Sequence, residues 1–117
     1  MMNTTIKMHS NSRMSQVVIH NGTIYLSGKT ARNEGDIHQQ TMEILQSIDN
    51  LLAEAQSSKS HLLSAQIWLK NMHDFDAMNE IWEAWLKDVI PPVRACTQSA
   101  FAKPHYLIEI QVVAAKV

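Results

Sequence analysis

The sequence predicts an α+β domain in which a mixed sheet of five or six strands carries two helices on one face. Three observations lead there. The elements run strands, helix, strand, helix and two strands, an order that departs from the regular alternation of α/β chains. Two segments place apolar residues at helical spacing: Thr41, Ile44, Leu45, Ile48, Leu51, Leu52 and Ala55, then Phe75, Met78, Trp82, Trp85, Leu86 and Val89. Asn21-Gly22 stands between two β-branched runs, the short-range mark of a type I′ hairpin.

The elements follow in chain order. "TIKMH" near the N-terminus is a weak strand candidate, and "SQVVIHNGTIYLSG" is a strong hairpin. "KTARNEG" reads as a loop ending near Gly35, after which Asp36 can cap a long helix through about Ala55. "QSSKS" breaks that helix. In "HLLSAQIWL" strict alternation puts Leu63, Ala65, Ile67 and Leu69 on one side, and Leu62, Ser64, Gln66 and Trp68 on the other. The second helix is expected to start at Asp74 as its cap and to stop at Pro91-Pro92. Strands over about Arg94 to Ala100 and Tyr106 to Ala115 follow, joined by a turn at Lys103-Pro104.

Length and composition narrow the function. A chain of 117 residues suits a single domain, 1–117, without linker or repeat. A net charge of -1 supplies no basic field, which argues against a dedicated nucleic-acid binder. No apolar run reaches the length of a membrane span, and "MMNTTIKMHSNSRMS" lacks the apolar stretch of a signal peptide. The single cysteine, Cys96, cannot form an internal disulfide and fits a reducing, cytoplasmic location. The six histidines lack paired metal-ligand spacing, so no metal is expected.

Two helices cover only one face of such a sheet. On the last strand Ile108, Ile110, Val112 and Ala114 form the more apolar side. Leu107, Glu109, Gln111 and Val113 form another side too apolar for plain solvent. Tyr25 and Trp68 also fall where helix cover is missing. An uncovered, partly apolar sheet face points to oligomerisation, although scattered apolar surface residues are ordinary.

Arg94 is the leading candidate for chemistry. It stands after two prolines that fix the backbone, and its planar donor fork matches a carboxylate. A lone arginine is more often a surface charge or a structural ion pair. Cys96 shares a strand side with Arg94 by period two, yet no activating Cys-His signature accompanies it, so a small core or pocket residue is the simpler reading. Glu109, between Ile108 and Ile110, is either a general acid/base tuned by burial or an outward strand residue paired with a lysine. Asn79, within an amphipathic helix, either contacts substrate or faces water.

Taken together these residues resemble a known family. "PPVRAC", followed by "YLIEI" and "QVVAA", is similar to the C-terminal signature of the RidA family, the reactive-intermediate deaminases also called YjgF. "HNGTIYLSG" resembles its second strand with the Ser-Gly pair, and "DFDAMNEIWEAW" its second helix with the characteristic asparagine. The likeness runs from about Met14 to Ala115. It implies a chorismate-mutase-like fold, a homotrimer with active sites between subunits, and cofactor-independent hydrolysis of enamines and imines to 2-oxo acids and ammonia. By the same resemblance Arg94 would grip the substrate carboxylate. The backbone around Cys96 and the carboxylate of Glu109 would position the attacking water. Ser27 and Gly28 would line the pocket, with Asn79 near its edge. Typical members carry a pocket-closing tyrosine where this chain has Met14, which suggests a side branch. Fold does not fix function, and a non-catalytic carboxylate binder or a regulatory, chaperone-like trimer is the alternative. The endoribonuclease role also attached to the family is disfavoured by the near-neutral charge.

Overall fold

The computed structural model describes residues 4–117; residues 1–3, the head of the N-terminal stretch that lacks a signal peptide's apolar run, lie outside the described residues. Six strands and two long helices form the fold: β1 (Thr5–Ser10), β2 (Ser15–His20), β3 (Thr23–Leu26), α1 (Ile37–Glu54), β4 (Leu62–Leu69), α2 (Phe75–Trp85), β5 (Val93–Gln98) and β6 (Ile108–Ala115). The strands lie in the order β1-β2-β3-β6-β4-β5. All neighbours are antiparallel except β4 and β5. The parallel pair needs a crossover, and α2 supplies it.

Local chemistry explains most element boundaries. Asn21 and Gly22 both have positive φ, 49° and 82°, as a type I′ turn requires. Asp36 starts α1 with a full capping box: its carboxylate accepts from the Gln39 amide, and the Gln39 side chain accepts from the Asp36 amide. The α1 stripe lands as expected, with Thr41, Ile44, Leu45, Ile48, Leu52 and Ala55 buried and Leu51 partly so. Beneath it the inner side of β6, Ile108, Ile110, Val112 and Ala114, is wholly buried. Each of its larger side chains contributes about 1.5–3 kcal/mol by leaving water. Gln40, also buried, donates to the Gly35 and His105 carbonyls and accepts from the Leu107 amide, tying α1 to the entry of β6.

Four expectations need correction. Leu62 is buried and Leu63 is 49% exposed, the reverse of strict alternation. A bulge between Leu62 and Ser64 inserts one residue against β6 and inverts the parity at the start of the strand. Asp74 precedes α2 but makes no capping bond, because it sits in helical geometry at the end of a short 3₁₀ turn (Met72–Asp74). The capping side chain there is Asn71, which accepts from the His73 amide. The helix ends at Trp85, well before the prolines, so Pro91-Pro92 only prevents its resumption. The last two strands are shorter than expected: β5 stops at Gln98, and Tyr106 and Leu107 precede β6.

The two helices leave the other sheet face open. Across it runs a mainly apolar row, Val18, Tyr25, Val113, Ser64 and Val93, in register over five strands. Tyr25 is 47% and Val93 73% exposed. Beside it stand Gln111, Gln66 and Ala95, and then Glu109, Trp68 and Thr97.

Candidate active site

The candidate residues fall into two groups on opposite sides of the sheet. Arg94 and Cys96 pair with Ala65 and Ile67 and so share the helix side. The prolines end just before Val93 opens β5, so Arg94 is held at the start of an edge strand. Its Nη1 donates to Asn79 Oδ1 on α2 at 2.7 Å. The guanidinium also lies over the rings of Phe75 and Trp82, at 5.9 and 5.7 Å from their centroids. Asn79 and Arg94 are among the residues lining an open cleft of about 500 Å³. One amide oxygen engages one arm of the fork and neutralises none of its charge, so an anion can still be held. Burial pushes the Cys96 thiol up, and the Arg94 charge offsets part of that rise. A thiol so placed is a poor nucleophile.

Glu109 stands on the open face beside Trp68, two strands in from β5. Burial pushes its carboxyl above the usual range. The reason for glycine at position 28 is visible here: a Cβ would overlap Glu109 Oε2 and crowd Cδ at 2.9 Å. Lys29 locks this segment to β6 through two backbone bonds with Ile110, of 2.8 and 3.0 Å. Ser27 Oγ donates to Gln16 Oε1 at 3.3 Å, and Lys29 Nζ donates to the same oxygen. Met14 precedes β2, 42% exposed, at the sheet end where Ser27 and Glu109 also stand.

The fold therefore joins Arg94 with Asn79, and Glu109 with Gly28, while the sheet separates the two pairs. Sequence reasoning missed Gln16 and Lys29. Each had a signal, since Gln16 shares strand parity with Met14 and Lys29 directly follows the Ser-Gly pair. Among the described residues no group of three His, Cys, Asp or Glu side chains could hold a metal ion, and no helix is long and apolar enough to cross a membrane.

Known proteins are similar to this chain over almost its whole length. A family model described as "Endoribonuclease L-PSP" matches residues 4–116. The RutC family protein YoaB of Escherichia coli is 39% identical over 112 residues, 96% of this chain and 98% of that protein. A RutC family protein of Haemophilus influenzae is 40% identical over 105 residues, 88% and 90% of the two chains. The crystal structure of a YjgF family member from Neisseria meningitidis matches with a TM-score of 0.92 at 37% identity, covering 97% of this chain and 96% of that one. An uncharacterized Pseudomonas aeruginosa protein matches at 0.94 with 31% identity, over 97% and 100% of the two chains. With its two helices on one face of a six-stranded mixed sheet, the chain belongs to the RidA/YjgF family.

Proposed function

We propose that this chain hydrolyses reactive 2-imino acids and their enamine tautomers to 2-oxo acids and ammonia, without a cofactor, as a homotrimer in the cytoplasm. The observation that carries the reading is the separation of two complementary half-sites. A carboxylate-gripping arginine lies at an exposed sheet edge, and a half-buried carboxyl lies on the open face. Neither half acts alone. Contact between the edge of one copy and the open face of another brings them together, and the apolar row from Val18 to Val93 supplies a surface for that contact.

The chemistry suits so spare a site. Arg94 holds the substrate carboxylate and Asn79 steadies the guanidinium. Water adds to the electrophilic imine carbon as Glu109 takes its proton. With the imine nitrogen protonated this leaves a neutral carbinolamine, which then collapses. Glu109 returns its proton to the nitrogen and the C–N bond breaks. The hydroxyl gives its own proton to solvent as the carbonyl forms, so that ammonia and a 2-oxo acid leave. Orientation supplies much of the acceleration, because the imine carbon is already reactive. Cys96 contributes backbone rather than sulfur. The family model carries a ribonuclease description, but a net charge of -1 favours a small carboxylate over a polyanion.

The test is 2-oxo acid release from imines freshly generated by amino-acid oxidases, over a panel of amino acids. Release above the uncatalysed rate supports the reading. A chain that binds 2-oxo acids but hydrolyses no imine is a carboxylate-binding module instead. Sedimentation should show a trimer across dilution, and a concentration-independent monomer would remove the shared site.

A further inference from the structure

Lys29 is a half-buried lysine within the Ser27–Lys29 segment that Glu109 touches. Lysine is seldom taken from water unless an anion receives it. Here its ammonium donates to the neutral amide oxygen of Gln16, which also accepts from Ser27. Among the described residues the ion pairs are His9–Glu54 and His38–Glu80, and Lys29 joins no carboxylate. Burial holds its ammonium below the usual lysine range, and the nearby Arg32 charge lowers it further. The Lys29 ammonium is therefore a positive charge with an amide oxygen, and no carboxylate, as its acceptor, while the Glu109 carboxyl at the same end of the sheet contacts Gly28 instead. Its position is also fixed, since Lys29 is bonded through its backbone to Ile110, the residue after Glu109.

We propose that Lys29 is a specificity-determining residue that receives a second carboxylate on the substrate, so that the chain prefers imines of dicarboxylic amino acids. This rests on the deaminase reading for the reaction itself. With the first carboxylate on Arg94 and the imine carbon at Glu109, the remainder of the substrate extends along the open face. There a carboxylate replaces Gln16 as the acceptor for the ammonium and takes the Ser27 hydroxyl as well. A monocarboxylic imine leaves the ammonium on an amide oxygen, and a charge-assisted bond forgone is worth roughly tenfold to a hundredfold in affinity.

Calorimetric binding of 2-oxoglutarate and 2-oxobutanoate to the full chain tests this, with Lys29→Gln and Lys29→Arg alongside and folding checked by circular dichroism. The parent should bind the dicarboxylate at least about tenfold more tightly. Lys29→Gln should bring the ratio near one, and Lys29→Arg should retain most of it. The kcat/KM ratio for imines from aspartate and asparagine should follow the same pattern. No preference in the parent, or an unchanged ratio in folded Lys29→Gln, overturns the assignment. If the binding preference holds and no imine is hydrolysed, the deaminase reading falls and the Lys29 assignment stands. If imines are hydrolysed without the preference, the Lys29 assignment falls and the deaminase reading stands.

Discussion

The two sides of β6 are built from one run of residues and have opposite fates. Ile108, Ile110, Val112 and Ala114 are completely buried beneath the helices. Glu109, Gln111 and Val113 alternate with them and face the uncovered side. The inner side has every contact it needs from its own chain. The outer side holds a carboxyl displaced from its usual range, next to an exposed apolar row that the fold leaves without cover. Stability is thus concentrated on one side of the strand and the proposed chemistry on the other, one residue apart.

Neighbouring substitutions should separate the two. Glu109→Gln is expected to lower turnover by about a hundred- to ten-thousand-fold, as for loss of a general acid/base, while 2-oxo acid binding persists. Its effect on stability should run the other way. A carboxyl raised by burial favours the folded state when protonated, so it costs stability as pH rises through its raised folded pKa. The glutamine variant should consequently be no less stable than the parent at neutral pH. For the parent, the acidic limb of kcat/KM should lie above the ordinary carboxylate range, because the base must be ionised, and it should vanish in Glu109→Gln. Ile110→Ala should do the reverse, costing about 2–5 kcal/mol in denaturant unfolding through the cavity it leaves. Equal stability losses from the two variants would break the comparison.

Arg94 sharpens it from the sheet edge. Arg94→Ala should weaken carboxylate binding by about tenfold to a hundredfold, and Arg94→Lys by less, since lysine keeps the charge but not the fork. Neither should unfold the chain, because the guanidinium is exposed and bonded to a single side chain. Imine hydrolysis by Arg94→Ala at the parent rate would make the arginine a surface charge. The smallest effect belongs to Cys96→Ser, which should retain most activity. A folded serine variant without activity would show that the sulfur, and not the backbone, takes part.

Much of this was legible in the chain itself. The I′ turn at Asn21-Gly22, the Asp36 cap and the α1 stripe are local features, and each is set by residues a few positions apart. The parity that puts Arg94 with Cys96, and Glu109 with Gln111, follows from the period of a strand. The misreadings also have local roots. Strict alternation cannot register a bulge, and Asp74 looks like a cap until Asn71 is seen holding the preceding turn.

The α+β class, the element order and most of the candidate residues can be read from the chain, because periodicity, turn chemistry and motif spacing act over short stretches. That Arg94 and Glu109 stand on opposite sides of one sheet emerges only when the strands pair. Likewise, only the fold shows that Gly28 makes room for a carboxyl eighty-one positions later in the chain and that Lys29 shares Gln16 with Ser27. These relations arise from the pairing of β2 with β3, of β3 with β6, and of β4 with both β6 and β5. Such pairings join distant segments through backbone hydrogen bonds that nearly any side chain allows, and so leave little trace in the order of residues.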